Sequence, residues 1–313
     1  MKREILFSMP SAYREPMDIV GFRFGEGEKS IAIVGSTRGN EVQQMFVCSR
    51  LVNILKQIEA GGKIKPGNEI LVIPCLNSAS MNIKKHFWPG DNTDINRTFP
   101  GYALGETTQR IADGVFQHLQ DYAYGVQLAS FYQHGLFLPH VKLMQCHYTD
   151  PELMKDFGLR YGIIRTPRPY DTTTLNYNWQ IWNTQAFSLY SSGTNVLNLA
   201  SADECVAAIL RFMAQRDIIE RGTDEGYVTE IIEEDKMYQV SAESAGILVP
   251  KVRLGQHIHE GDLLCEIMDP LDGSRRDTVI SKVDGTVFFI HDDPLLTEHA
   301  VMLKIILTEE SYL

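Results

Sequence analysis

Five apolar runs punctuate the first two-thirds of the chain: 30–36 (SIAIVGS), 69–76 (EILVIPCL), 124–131 (YGVQLASF), 141–148 (VKLMQCHY) and 186–192 (AFSLYSS). They are rich in β-branched or aromatic residues, and several are apolar almost throughout, which predicts strands buried on both faces. Between them the apolar spacing lengthens to about 3.6 residues. Val42, Met45, Phe46, Ile54, Leu55 and Ile58 predict a helix over 41–58, and Ile111, Val115, Phe116 and Leu119 another over 106–121. A third, over 202–216, carries Val206, Ile209, Leu210 and Met213 on one stripe and starts with Ser201 and Glu204 in capping-box spacing. Strands alternating with helices in this way predict an α/β domain with a mainly parallel or mixed sheet flanked by helices.

After residue 222 the helical periodicity stops. Short strands separated by glycine turns take over, as in AGILVPKVRLGQHIHEGDLLCEIMDPLDG and VDGTVFFIHDDPLLTEHAVMLKIIL. The pattern predicts two domains, an α/β domain over 1–222 and a small all-β domain over 223–313. The second resembles the lipoyl-like, barrel-sandwich arrangement. A carrier lysine would have to sit at a hairpin tip, and the candidate tip Asp272-Gly273-Ser274-Arg275 has none, so the module reads as structural or lid-like.

Charge narrows the partners. The 313 residues carry a net charge of −11, which argues against a nucleic acid or an anionic membrane as main partner, since both require a basic face. The five cysteines are scattered without a C-x-x-C pair and lie mostly in apolar runs, as reduced thiols do. No apolar run approaches the length of a membrane span, and the expected location is cytoplasmic.

Three local patterns carry the candidate chemistry: GSTRGNE at 35–41, DNTDINRTFPG at 91–101 and QLASFYQHGLFLPHVKL at 127–143. In order and spacing they resemble the succinylglutamate desuccinylase/aspartoacylase family of the zinc carboxypeptidase superfamily. The most specific piece is Asp94-Ile95-Asn96-Arg97-Thr98-Phe99-Pro100-Gly101, which is similar to the family's D-L-N-R-x-F-P-G signature. The resemblance implies a zinc-carboxypeptidase-like mixed sheet followed by a small β domain, and zinc-dependent hydrolysis of an amide bond in an N-acyl amino acid or similar small carboxylate. It also implies a G-x-H-G-N-E loop supplying a histidine and a glutamate to zinc, a second histidine at a D-[LI]-H strand end, a catalytic glutamate on a later strand, and an Asn-Arg pair gripping the substrate carboxylate.

Carried over residue by residue, that pattern keeps Glu41, Asn96 and Arg97 and loses the rest. Arg38 stands at the first histidine, Ala129 at the second, and Tyr190 near the general-base position; Lys142 lies where relatives often carry an arginine. Arginine cannot be a ligand, and one carboxylate cannot hold zinc. A guanidinium at 38 can instead lie close to Glu41 and supply the charge a metal would have supplied.

The expected function is a family member that is weak or inactive as a zinc hydrolase, with no cofactor expected. It would bind a small anionic carboxylate through Asn96, Arg97, Arg38 and Lys142, as a homo-oligomer or beside an active paralogous subunit. One alternative is an active amide hydrolase whose zinc site is rebuilt around Glu41 and His134, with His86 or Asp91; another is a purely structural subunit. The aromatic, proline-rich tract 165–182 reads either as a pocket wall or as an ordered surface loop.

Overall fold

The computed structural model describes residues 1–131, 135–194, 196–220, 222 and 224–308. They form two compact units, one of Met1–Ser130 with Pro139–Ile231 and one of Phe131–Leu138 with Ile232–Leu313. The first unit therefore runs on past residue 222, and a short excursion from its middle, 131–138, packs with the second.

In chain order the first unit contributes β1 (Lys2–Met9), β2 (Met17–Gly25), β3 (Gly27–Val34), α1 (Val42–Ala60), β4 (Gly67–Ile73), α2 (Ser78–Asn82), α3 (Thr107–Leu119) and β5 (Tyr124–Ala129). The excursion carries β6 (Leu136–Phe137). Then follow β7 (His140–Met144), β8 (Tyr161–Arg165), α4 (Leu175–Ile181), β9 (Gln185–Tyr190), α5 (Leu199–Gln215) and β10 (Glu230–Glu233). Nine strands make one sheet in the order β1-β2-β4-β3-β5-β9-β7-β8-β10. Its centre is parallel (β4, β3, β5, β9), while β1 and β2 at one side and the β7–β9 pairing make it mixed.

Two apolar layers explain why the central strands read as continuous apolar runs. Ile31 and Ile33 of β3 face the layer built with Val47, Leu51 and Leu55 of α1 and Ile209 and Phe212 of α5. Ala32 and Val34 face the opposite layer, with Ile111 and Val115 of α3 and Leu175 and Trp179 of α4. Both side-chain rows of β3 are thus removed from water, and polar alternation would be costly there. The ends of β3, β5 and β9 are the exception: there the side chains turn polar.

The second unit holds two antiparallel sheets. One is ordered β11 (Tyr238–Ser241), β18 (Val301–Leu307), β16 (Gly285–Ile290), β13 (His257–Ile258), with β6 joined to β16. The other is ordered β15 (Arg275–Ile280), β14 (Leu263–Met268), β12 (Gly246–Pro250), β17 (Leu295–Leu296). Their shared core includes Leu248, Ile258, Ile267, Val287 and Ile305. The turn between β14 and β15 carries Gly273 at φ 72°, at the tip expected from the sequence. All five cysteines are free thiols. Among the described residues no helix is long and apolar enough to cross a membrane.

Candidate functional site

The loop from β3 to α1 places Arg38 and Glu41 side by side. Glu41 is the residue before the first turn of α1 and is fully buried, together with Thr37 and Arg38. Its carboxylate is enclosed by donors: the Arg38 backbone N–H at 3.0 Å and the Thr37 hydroxyl at 3.3 Å on Oε2, the Ser130 hydroxyl at 2.7 Å and Arg38 Nη1 at 3.4 Å on Oε1. Gly39 is needed for this compact turn, because a Cβ there would lie 2.2 Å from Ser80 Cβ and 2.4 Å from the Lys85 carbonyl oxygen.

Arg38 turns its remaining donors on a second carboxylate. Its Nε and Nη2 each lie 3.1 Å from Asp94 Oδ2. Asp94 in turn caps the short 3₁₀ turn Ile95–Arg97, its Oδ1 accepting the Asn96 N–H at 3.0 Å. One guanidinium therefore ties the GSTRGNE loop to the signature loop. Burial alone would lower the Arg38 pKa, but Glu41 and Asp94 outweigh it and hold the guanidinium charged. Burial pushes the Glu41 carboxyl above its usual range, against the pull of Arg38 and the Ser130 hydroxyl.

Asn96 and Arg97 lie next in the same turn. The Asn96 side chain is oriented by Gln127 of β5, whose Nε2 donates to its Oδ1 at 2.8 Å. Arg97 is 43% exposed, stands 3.7 Å from Asp94 Oδ2, and stacks its guanidinium 5.7 Å from the centre of the Tyr170 ring. Past it the chain turns through a cis Phe99–Pro100 bond to Gly101. At φ 97°, a Cβ on Gly101 would meet the Asp113 backbone N of α3 at 2.0 Å, so this part of the signature fits closely against a helix.

At the strand ends, Ala129 of β5 pairs in register with Tyr190 of β9, and His140 of β7 pairs with Tyr190 from the other side. The His140 and Tyr190 rings stack with centroids 4.6 Å apart and planes 5° off parallel. Lys142 is buried, its Nζ 5.9 Å from the Tyr190 ring centre. Ser130, next to Ala129, donates to Glu41, which brings this strand end beside the loop that carries Arg38. Gln44 of α1 donates to the Ala129 carbonyl at 3.1 Å.

Arg38, Glu41, Asn96, Arg97, Ala129, Lys142 and Tyr190 are thus gathered at or beside the ends of β3, β5, β7 and β9. Arg38 differs from the expected role in one respect: its Nε, Nη1 and Nη2 all face protein carboxylates. His134 lies outside the described residues. Asp91 makes an exposed local turn by accepting the Thr93 N–H at 2.9 Å, and the backbone carbonyl of His86 accepts the Gly39 N–H. Sequence reasoning missed Asp94 as the second partner of Arg38, and Gln127 and Ser130 as the groups that orient Asn96 and Glu41. Gln127 and Ser130 flank Ala129 in the polar end of an otherwise apolar run, and that break in apolarity was the available signal.

The positions that the resemblance aligns with the family's zinc ligands do not fit the ion. They offer a guanidinium, a methyl group and a carboxylate whose two oxygens are both occupied by protein donors. Among the described residues no three His, Cys, Asp or Glu side chains are grouped to hold a metal.

Comparison with known proteins bears first on the fold. A large mixed sheet between helices, with an added antiparallel β unit, is shared with a succinylglutamate desuccinylase from Silicibacter (TM-score 0.81, 16% identity, 97% of this chain and 94% of that one). The ectoine utilization protein EutE (DoeB) from Ruegeria pomeroyi, in its product-bound structure, is as similar (TM-score 0.81, 18% identity, 98% and 95% covered). Residues 27–128 match the family model of the succinylglutamate desuccinylase/aspartoacylase catalytic domain. Over 259 residues the chain is 22% identical to the N-alpha-acetyl-L-2,4-diaminobutyric acid deacetylase of Halomonas elongata, covering 78% of this chain and 72% of the relative. The chain is thus similar to the succinylglutamate desuccinylase/aspartoacylase family, in sequence over residues 27–128 and in fold over nearly its whole length.

Proposed function

We propose that this family member binds a small carboxylic acid at the Asn96–Arg97 turn, and that it is weak or inactive as a zinc hydrolase. The observation that carries the reading is the Arg38 guanidinium, buried between Glu41 and Asp94 where the family resemblance implies a metal ligand. A guanidinium supplies fixed positive charge and hydrogen-bond donors. It cannot polarise an amide carbonyl as a Lewis acid or generate a metal-bound hydroxide. The electrostatics of the loop are kept while the chemistry of the metal is lost.

Arg97 is the group best suited to meet a ligand. It is close to half exposed, its backbone is fixed by the Asp94-capped turn, and a planar guanidinium can bind a carboxylate through two parallel hydrogen bonds. Asn96 precedes it in the same turn as a further donor, and Lys142 lies against the Tyr190 ring. The deacetylase among the relatives takes, by its name, an N-acetylated diamino acid, which supports a ligand of amino-acid size. The competing reading, an amide hydrolase with zinc at Glu41 and His134, draws on the same relative. A third is a structural partner of an active paralogue.

One set of measurements separates them. Butyrate and N-acetyl amino acids are titrated by calorimetry into the wild type and Arg97→Ala, with amide hydrolysis followed in the presence of zinc. Binding lost in Arg97→Ala, without turnover, supports the proposal. Zinc-dependent turnover abolished by Glu41→Ala and His134→Ala contradicts it, and a wild type that binds no acid favours the structural subunit.

A further inference from the structure

The segment Gln256-His257-Ile258-His259-Glu260 lies in the second unit and has no part in the site at the strand ends of the first. Successive side chains of a strand point to opposite faces, so its two histidines share one face and Ile258 takes the other. Ile258 is accordingly buried in the core with Val287 and Ile305, while His257 and His259 are exposed. Antiparallel pairing of His257 with Thr286 and of Ile258 with Gly285 fixes the backbone that carries them. The two imidazole rings stand with centroids 5.1 Å apart and planes 86° from parallel.

One of the rings is already held as a ligand is held. Asp284 Oδ1 accepts the Glu260 N–H at 2.9 Å and stands 3.2 Å from His259 Nδ1. The Glu260 bond and the neighbouring imidazoles keep the Asp284 carboxyl below its ordinary range, so it acts as an acceptor only. The proton of neutral His259 therefore sits on Nδ1, and its lone pair is on Nε2. A carboxylate behind one imidazole nitrogen, fixing tautomer and ring direction, is the usual support of a metal-bound histidine. The backbone is fastened as well, since Asp262 Oδ2 accepts the His259 N–H at 2.8 Å.

We propose that His257 and His259 form a binding site for a divalent transition-metal ion, with Asp284 orienting His259. Two nearly perpendicular rings 5.1 Å apart can meet at one ion through metal–nitrogen bonds of about 2.0–2.1 Å once they turn about their side-chain torsions, and because both are exposed the turn displaces only water. Nitrogen donors select copper, nickel or zinc over magnesium and calcium, which take oxygen, and copper(II) heads the order of affinity. Glu260, Asp262 and Asp284 in the same turns add a negative field that favours any cation. Two protein donors are fewer than a closed structural site uses, so the remaining positions go to water and the ion exchanges with solvent. This exchangeable site is separate from the question of zinc at Glu41, because it gives up its ion when the excess is removed and does not involve that residue.

Copper(II) titrated by calorimetry into the full, tag-free chain tests it, with magnesium(II) as the control ion and electron paramagnetic resonance of the complex at one equivalent. The wild type should take up one copper(II), show nitrogen coupling from two imidazoles and bind no magnesium. His257→Ala and His259→Ala should each weaken binding by about tenfold or more and leave coupling from one imidazole, while Asp284→Asn should weaken it by roughly tenfold, the lower end of the range for an outer partner, with both nitrogens still seen. All three side chains lie at the surface, and unchanged thermal melts establish that the variants fold. A wild type that binds no copper(II), or binding that survives the combined loss of His257 and His259, would overturn the site. Affinity unchanged in Asp284→Asn would overturn the orienting role given to that carboxylate.

Discussion

Arg38 and Glu41 form a buried ion pair across the turn that opens α1, with Nη1 3.4 Å from Oε1 and the Arg38 backbone N–H 3.0 Å from Oε2 of the same carboxylate. Asp94 completes the group from another loop, 3.1 Å from Nη2. The one cation therefore serves two buried anions, and its removal leaves both carboxylates without the guanidinium they share.

Arg38→Met should cost about 3–5 kcal/mol of stability, the usual result of stranding buried charge. The pH dependence follows from Glu41. Its folded-state pKa is raised by burial, so its contribution to stability is fully present below the ordinary value of 4.5 and is lost as pH rises through the folded value. Removing Arg38 takes away a group that holds that pKa down. The deficit of the variant should accordingly be largest near neutral pH and shrink as pH falls toward 4.5, as denaturant unfolding at several pH values would show. Arg38→Met combined with Glu41→Gln and Asp94→Asn should recover most of the loss.

Arg97→Ala makes a deliberate contrast. Its ion pair with Asp94 is long, at 3.7 Å, and the side chain is 43% exposed, so the stability cost should stay under about 1 kcal/mol. Binding of butyrate should nevertheless disappear. Parallel thermal melts and titrations check both halves of the statement.

Gln127→Leu should weaken acid binding although Gln127 is assigned no ligand contact. It leaves Asn96 Oδ1 without its 2.8 Å donor and the Asn96 amide free to turn, with a stability loss of about 1–3 kcal/mol for an unsatisfied buried acceptor. Gln127→Glu, which keeps the shape but replaces the donor by an acceptor, should fail to restore binding.

Gly101→Ala should destabilise by more than about 2 kcal/mol, since it combines a left-handed backbone with a 2.0 Å approach to the Asp113 N. The accompanying loss of acid binding would show that the signature loop depends on its seat against α3. Chemical denaturation and the same titrations measure the two effects.

Particular residues show how far the sequence could be read. The helix expected over 41–58 is Val42–Ala60, and the strand expected over 124–131 is Tyr124–Ala129, because long periodic or continuous apolar runs leave few alternatives. The third helix starts earlier than expected. Asn198 caps it by accepting the Ser201 N–H at 3.0 Å, and this cap, one turn earlier, takes the place of the Ser201–Glu204 box. The antiparallel β1 and β2 were not foreseen, nor was α4, whose Leu175 and Trp179 lie within a polar, aromatic tract that hides their spacing.

At the site the same limit applies. The nearness of Arg38 to Glu41, three residues apart in one tight turn, followed from local sequence. Its pairing with Asp94 did not, because it joins loops 56 residues apart and depends on how strands β3 and β4 bring those loops together. Arg97 and Tyr170 were present in the sequence but had no geometry there; the Phe99 N–H bond to the Thr173 carbonyl seats the later tract on the signature loop, where the two side chains meet.

The central claim is that Arg38 occupies the metal's place in a binding protein. Its most direct test is the zinc content of the purified, tag-free wild type after brief exposure to zinc and removal of the excess. The account predicts no stoichiometric zinc in the wild type. About one tightly held zinc per chain, lost in Glu41→Ala, would contradict it and return the chain to the metal-dependent hydrolases.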